Sequence, residues 1–551
     1  MATYKVDGKL FADMVRGGSE NLRANATVVN DLNVFPIPDG DTGDNMSLTM
    51  QGGDSAVQGE VSESVSYIAE KIAGGMLLGA RGNSGVILSQ LFAGIAKGLS
   101  NIDSASAVAL GEAFKSGVKQ AYNAVLTPTE GTILTVAREA TEYAAGRVST
   151  DSTIEDFFSD FIEKMHVSLQ NTPELLPILK ESGVIDSGGA GLVYVIEGMN
   201  KILHGEAVAS APAVSAPAAQ ALDLSAFGAD SEMTFGYCTE VLLQLQNSKV
   251  DAEALDVSVI SDYLSTIGDS IVAVKNGTVV KIHVHTMTPG KVFEFCQRYG
   301  EFLTVKVENM ALQHSEAKVE NRFAAPVKQA HKPFGVVAVA AGEGIQETFL
   351  SLGADYIVEG GQTMNPSTED FLTAFDTVNA DTVFVLPNNS NILLAARQAA
   401  ALYEAADVRV LESRTVGDGY AALTMLDLES GNADEIEATL TDAMQGVVTG
   451  MVTRSVRDCA LDGIEIAKND FIGFAGKQML SDAPTAADAA CELLSKLSVA
   501  ERDVLITICG KEASAADMDA VRAFMRESAP NTELFEIDGG QDVYPFILVL
   551  E

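Results

Sequence analysis

Residues 33–46 read Asn-Val-Phe-Pro-Ile-Pro-Asp-Gly-Asp-Thr-Gly-Asp-Asn-Met. Two carboxylates, Asp39 and Asp41, flank Gly40. Pro36 and Pro38 stiffen the approach, and Gly40 and Gly43 free the backbone on either side. A helical pattern ends before this stretch and another begins after it. Such a turn gathers several oxygen ligands in one small volume, as Mg²⁺ held to a phosphate requires. The same residue types also make an ordinary polar loop, so both readings stand until the rest of the chain is considered.

The chain has 551 residues, too many for one hydrophobic core. About three domains is the expectation. The hydrophobic fraction of 47% supplies enough apolar side chains to fold, so general disorder is excluded. The formal net charge is −40. A field of that sign repels phosphate polyanions, which argues against nucleic acid and anionic membrane as partners. A nucleotide bound by such a chain needs local help from metal ions, helix N-termini or a few Arg and Lys. No uncharged apolar run reaches transmembrane length. The N-terminus lacks the basic-then-apolar form of a signal peptide, and five scattered cysteines read as reduced thiols. The expected location is the cytoplasm.

Residues 1–204 read as an all-α domain. Phe11, Met14, Val15, Leu22 and Val29 mark one face of a first helix over roughly 7–31, and further helical patterns fall near 62–80, 85–100, 105–125, 131–147, 153–170 and 188–203. Residues 205–230 are rich in Ala, Pro and Ser without periodicity, the composition of an extended linker. Residues 231–312 alternate: a strand (234–245), a helix (257–267), strands 270–275 and 278–285 about Asn276-Gly277, a helix (290–299) and a strand (303–309). That β-α-β-β-α-β order predicts a ferredoxin-like sheet. After a polar connector (313–332), residues 333–551 begin with buried strands at Val336–Ala340, Tyr356–Val358, Thr382–Leu386 and Val408–Leu411 separated by helices, which predicts a parallel sheet in a two-lobed α/β domain.

Three more small-residue turns precede helices in the first domain. Met76-Leu-Leu-Gly-Ala-Arg-Gly-Asn-Ser-Gly85 opens a helix whose backbone N–H groups and dipole suit phosphate, although it is no Walker loop. Pro128-Thr-Glu-Gly-Thr-Ile133 and Asp186-Ser-Gly-Gly189 are the others, and each alone reads equally as a cap or a structural turn. Together with Asn33–Gly43 they closely resemble the ATP-binding, DhaL-type domain of dihydroxyacetone kinases. The whole layout resembles the kinase subunit of bacterial fatty acid kinases. The likeness includes Gly236-Tyr-Cys-Thr-Glu240, Lys281-Ile-His-Val-His-Thr286, Gly360-Gly-Gln-Thr-Met-Asn-Pro-Ser-Thr-Glu-Asp370 and Leu386-Pro-Asn-Asn-Ser-Asn-Ile392.

The resemblance implies an N-terminal α-helical barrel closed around ATP and two Mg²⁺. It carries Asp39 and Asp41 over as metal ligands, with Asn33 as a third where dihydroxyacetone kinases have Asp. Gly82, Ser84 and Gly85 would meet phosphate, and Asn45, Thr132 and Asp186 would contact the nucleotide. Arg81 is a candidate for charge stabilisation during transfer, with a structural role on the helix surface as its alternative. Asp44 stands where the family pattern has Thr, an extra carboxylate beside the metals.

A second constellation is Cys238, His283 and His285. The two histidines are two apart on an expected strand and so share a face. In the ferredoxin-like order the first and third strands are neighbours, which brings Cys238 to the same place. One thiolate and two imidazoles suit Zn²⁺, with Glu240 as a fourth ligand on that face. The bland alternative is two surface histidines and a buried thiol; topology and resemblance together favour the metal. The third segment resembles the DegV-like fold of fatty-acid-binding proteins. Its loops 342–344, 360–368 and 387–391 follow expected strands, where α/β folds bind ligands. A bound lipid, docking of a partner and a homodimer contact are all open for it. Cys296, Cys459, Cys491 and Cys509 read as structural thiols. The expected activity is ATP-dependent phosphorylation of a fatty acid carried by a separate DegV/FakB-type binding protein, giving acyl phosphate for phospholipid synthesis. The alternatives are a kinase of another carried substrate such as dihydroxyacetone, and a non-catalytic lipid or ATP sensor.

Overall fold

The structure, a computed structural model, describes residues 2–33, 40–206, 208, 237–251, 255, 257–264, 266–276, 278–309, 328–362 and 364–551. Asp39, most of the 205–230 linker and most of the 313–332 connector lie outside these residues. So do the side chains of Cys238, Glu240, His283 and His285.

The N-terminal segment is helical. Helix α1 (Gly8–Ala24) starts at Asp7, whose carboxylate accepts from Leu10 N at 2.8 Å, and buries Phe11, Met14, Val15 and Leu22 on one face. The single helix expected over 7–31 is interrupted at Asn25, where φ −114° and ψ 10° end α1 and a short α2 (Ala26–Asn30) follows. Next come α3 (Thr42–Ala56), α4 (Val65–Leu78), α5 (Gly82–Gly98), α6 (Ala107–Asn123), α7 (Ile133–Ala145) and α8 (Ile154–Gln170). Two short helices, α9 (Thr172–Leu175) and α10 (Pro177–Ser182), precede α11 (Ser187–Leu203). Packing runs from α1 to α3 and α4, on to α5, α6, α7 and α8, and back through α11 to α1. The ring closes, as a helical barrel requires. Its apolar core includes Phe114, Phe157, Phe158 and Phe161, with neighbouring rings meeting edge-on.

Residues Val214–Ala325 form a compact unit of their own. Its strands β1 (Tyr237–Leu245), β2 (Gly268–Asn276), β3 (Val279–Thr286) and β4 (Gly300–Asn309) pair antiparallel in the order β2-β3-β1-β4. Helices α12 (Ser258–Leu264) and α13 (Pro289–Cys296) supply Ile260, Leu264, Val292 and Phe295 to its core. This is the expected ferredoxin-like order.

The C-terminal segment has two larger sheets. In the first, β5 (Lys332–Ala340), β6 (Tyr356–Glu359), β7 (Ala380–Leu386) and β8 (Asp407–Val410) pair parallel in the order β6-β5-β7-β8. The helices between them are α14 (Glu343–Ser351), α15 (Thr368–Val378) and α16 (Leu393–Leu402). The second sheet has the order β13-β12-β9-β16-β14-β15, built from β9 (Val448–Arg454), β12 (Phe471–Ala475), β13 (Gln478–Ala483), β14 (Val504–Cys509), β15 (Glu533–Asp538) and β16 (Phe546–Leu550). Only β14 and β15 pair parallel within it. A small hairpin of β10 (Cys459–Leu461) and β11 (Ile464–Ile466) projects beside it. The two lobes match the sequence expectation.

The N- and C-terminal segments belong to one compact unit. Ala80 and Val86, at the start of α5, lie in the same apolar cluster as Phe371, Phe375 and Ile392. Gln398 of α16 is buried against the helical domain. Its amide donates to Leu77 O at 2.7 Å and its carbonyl accepts from Gln90 Nε2 at 2.8 Å.

Candidate nucleotide and metal site

Three helix N-termini open on one cavity of about 370 Å³. Asp41, Thr42 and Asn45 come from the start of α3, Asn83 and Ser84 from α5, and Asp186 and Ser187 from α11. Unpaired N–H groups and helix dipoles at three such ends favour an anion there. Leu32, Leu176, Ile178 and Leu179 form an apolar part of the wall, and Asn391 and Lys477 reach it from the C-terminal segment.

Asp41 holds the N-cap position of α3, but its carboxylate does not cap the helix. It is engaged by the amides of Asn45 and Asn365. Burial, with a smaller push from the Asp44 charge, raises its pKa from 3.8 to about 6 against those hydrogen bonds. Asn33 Oδ1 accepts from Thr42 Oγ1 at 2.9 Å and Ser187 Oγ at 3.3 Å, which ties the acidic turn to the start of α11. Asp186 caps α11: Gly189 N donates to its carboxylate at 2.6 Å, and the backbone N–H of Ile133 also donates to it. Burial still raises its pKa to about 6. Asp44 stands apart on the exposed side of α3, where it accepts from Asn30 Nδ2 at 2.9 Å, and it is not on the cavity wall.

Gly82 shapes the opening of α5. Its φ is +57°, and a Cβ there would lie 2.6 Å from Asn45 Nδ2. Gly85 is as tightly held, with Thr49 Oγ1 2.4 Å from the position of a Cβ. Both glycines serve close approach rather than lining the wall. Thr132 sits behind Asp186, as the N-cap of the helix whose first N–H reaches that carboxylate, with its own hydroxyl on Thr129 O at 2.8 Å.

Arg81 requires a correction. It is extended (φ −130°, ψ 141°) and bridges to Ser367 as a short antiparallel pair. Its guanidinium donates to Asn365 O at 2.7 Å and lies 3.7 Å from Asp370, and it is not on the cavity wall. The C-terminal segment thus occupies the group that the sequence offered to phosphate. His166 pairs with Glu197 at 3.0 Å and is not on the wall.

Sequence reasoning alone does not single out Asn365, Asn83, Asn391 or Lys477. The loops 360–368 and 387–391, expected to bind ligands from their place after strands, do reach a site, but it is the one in the helical domain. Asn365 donates to Asp41, and Asn83 Nδ2 meets Ser390 O and Asn391 Oδ1, each at 3.4 Å. Loop 342–344 packs against Gly539 instead.

The fit to a metal and a phosphate chain can be tested on the donors. The side-chain oxygens of Asn365 and Asn83 are buried and, among the described residues, have no hydrogen-bond partner. Asn83 lines the cavity with Asn33 and Asp41, and Asn365 meets the Asp41 carboxylate, so side-chain oxygens of the kind a hard divalent cation takes are gathered around this cavity. The residues fit.

In the middle unit, the β1–β3 register puts Cys238 opposite His285 and Glu240 opposite His283. Directly opposed residues share a face, so all four positions fall on one side of the sheet. The four described cysteines are free, and burial raises the thiol pKa of each, in Cys296 to about 12.

A closed helical domain whose helix starts converge on a cavity with two acidic residues on its wall is the architecture of a DAK2-type kinase domain, and the DAK2 family model matches residues 36–201. The models for the middle and C-terminal domains of the FakA-like fatty acid kinase proteins match residues 234–317 and 335–551. Protein YloV of Bacillus subtilis is 40% identical over 562 residues, covering all of both chains. The chain belongs to the FakA-like, YloV-type family of fatty acid kinase proteins. Among solved structures, a DegV family protein of Corynebacterium glutamicum is similar over 40% of this chain and 96% of its own, with 16% identity and a TM-score of 0.30. The dihydroxyacetone kinase of C. freundii in complex with AMP-PNP and Mg²⁺ is similar over 35% of this chain and 34% of its own, with 18% identity and a TM-score of 0.29. Among the described residues no helix is long and apolar enough to cross a membrane.

Proposed function

We propose that the chain is the ATP-dependent kinase component of a two-component fatty acid kinase. It transfers a phosphoryl group to the carboxylate of a fatty acid presented by a separate DegV/FakB-type binding protein, and the acyl phosphate feeds phospholipid synthesis in the cytoplasm. The observation that carries the reading is the convergence of three helix N-termini and the buried Asp41 on one cavity in a chain of this family.

Bound Mg²⁺ supplies neutralisation of the triphosphate and of the charge that develops on transfer. Asp41, Asn33 and Asp39 would hold it, with Asn365 fixing the Asp41 carboxylate. The starts of α3, α5 and α11 orient the phosphate chain through their N–H groups, with Ser84 adding a hydroxyl. The apolar wall of Leu32, Leu176, Ile178 and Leu179 suits the base. A fatty carboxylate is already ionised near neutral pH, so its attack needs no general base. A long acyl chain needs an apolar tunnel of its own, which is the physical case for a separate carrier.

The test mixes the protein with Mg-ATP, oleate or palmitate and a candidate binding protein. Acyl phosphate is expected only with both proteins present, and Asp41→Ala should abolish it. Formation of phosphorylated dihydroxyacetone in its place would transfer the site to another acceptor.

The same reading includes Zn²⁺ at Cys238, His283 and His285, supported by their common face on the β1–β3 register. Replacing both histidines with Ala should remove bound zinc from the purified protein. Unchanged zinc by metal analysis would refute that site.

A further inference from the structure

The cavity contains a cation that the kinase reading does not use. Its described acidic residues are Asp41 and Asp186, and Lys477 is its one basic residue among those described. Arg81, the nearby cation of the helical domain, is held by Asn365 and Asp370. Lys477 has no carboxylate partner among the described residues. A chain of net charge −40 has few cations to spare, and an unpaired one on an acidic wall lowers the cost of bringing in a polyanion.

The lysine sits where the backbone can aim it. Ala475 pairs with Gln478, so β12 and β13 are joined by the two residues Gly476-Lys477. Gly476 has φ +59°, and Lys477 is not among the residues with positive φ, the pattern of a type II′ hairpin. The hairpin is anchored behind its tip. Phe474 and Met479 are buried, and Met479 N donates to Asp462 Oδ2 at 2.7 Å. The turn is therefore a support carried by the C-terminal segment, and it places the exposed Lys477 on the wall of a cavity whose other lining residues are mostly from the helical domain.

We propose that Lys477 is a phosphate-binding residue supplied by the C-terminal segment, with its ammonium on the phosphate chain of the nucleotide. The inference rests on the nucleotide reading above and adds to it a direct contribution from the α/β segment. In this arrangement, Lys477 and Asn391 complete a phosphate site to which the helical domain, among its described residues, brings no lining cation.

The experiment measures binding of Mg-AMP-PNP, Mg-ADP and adenosine to the full chain by calorimetry, for the wild type, Lys477→Met and Lys477→Arg. Methionine keeps the stem and removes the charge. Lys477→Met should lose at least roughly tenfold in Mg-AMP-PNP affinity, as expected for one charge-assisted contact. Its adenosine affinity and thermal midpoint should stay as in the wild type, and Lys477→Arg should retain most of the nucleotide affinity. A Lys477→Met protein that binds Mg-AMP-PNP within about twofold of the wild type would overturn the inference while leaving the kinase reading intact. An equal loss for adenosine would also overturn it, by showing a distorted pocket. A wild type with no affinity for either Mg-nucleotide would remove the nucleotide reading itself, and the inference with it.

Discussion

Asp186 shows how one residue joins architecture to chemistry. Its carboxylate caps α11, takes the first N–H of α7 and lines the cavity, so it fixes two helix starts and one wall together. Burial opposes its charge strongly enough to lift its pKa from 3.8 to about 6 despite two backbone donors. The folded chain therefore keeps a proton there that the unfolded chain gives up. The resulting stabilisation is complete below about pH 4 and is lost as pH rises through about 6, a swing on the order of 3 kcal/mol. Asp186→Asn keeps an oxygen for both backbone donors and cannot ionise. Its thermal midpoint relative to the wild type should move upward by several degrees between about pH 4.5 and pH 7.5, about 2–4 °C for each kcal/mol. A difference that does not change with pH would show that the carboxyl is not held protonated by its surroundings. At this scale the sequence is informative for residues whose motif geometry is local. Asn33, Asp41, Asn45, Ser84 and Asp186 all reach the cavity, because each lies near a helix end. Arg81 and Asp44 do not follow, because their partners, Asn365 with Asp370 and Asn30, lie outside the motif.

Helix packing in the N-terminal segment depends on which small residues face a neighbour, and adjacent positions of α4 differ completely. A Cβ on Gly74 would meet nothing within 4 Å, whereas one on Gly75 would lie 2.3 Å from Gly52 O and 2.7 Å from Ala56 Cβ, both on α3. Gly74→Ala should therefore stabilise the chain by up to about 1 kcal/mol through helix propensity alone. Gly75→Ala should destabilise it by roughly 1–3 kcal/mol, because α3 and α4 must move apart. Since α3 also carries Asn45 and has Asp41 at its N-cap, the second variant should bind Mg-ADP more weakly and the first should not. Paired thermal melts and titrations check this, and equal behaviour of the two variants would contradict the crossing. Elements are legible where periodicity is long: α4 to α8 and α11 appear within a few residues of their expected spans, and the β-α-β-β-α-β order predicts the β2-β3-β1-β4 sheet. The short α9 and α10 are not legible, because four and six residues hold too little of a helical repeat. Yet Leu176, Ile178 and Leu179, within and between them, reach the cavity.

The junction between the N- and C-terminal segments is invisible to sequence reading for a physical reason. Its contacts join residues far apart along the chain, and no local pattern records such a pairing. Asn365 lies 324 residues from Asp41 and 284 from Arg81, yet contacts both: its side-chain amide donates to the Asp41 carboxylate and its backbone carbonyl accepts from the Arg81 guanidinium. The Arg81 guanidinium is off the cavity wall and would act on it as a positioning group through Asn365. That chain of contacts predicts non-additivity. Asn365→Ala removes a hydrogen bond to a buried carboxylate, worth about 1.5–3 kcal/mol, and should weaken Mg-AMP-PNP binding by roughly tenfold or more. Arg81→Ala leaves Asp41 and Asn365 in place but loosens the loop, and should cost a smaller factor, roughly threefold. In the double variant there is no Asn365 amide left to position, so removing the guanidinium as well costs nothing further, and the loss should match that of Asn365→Ala alone. Calorimetric titration of the four proteins closes the cycle. A double variant whose loss is the product of the single losses would show that Arg81 reaches the nucleotide by its own route, and that the C-terminal loop is not the link between them.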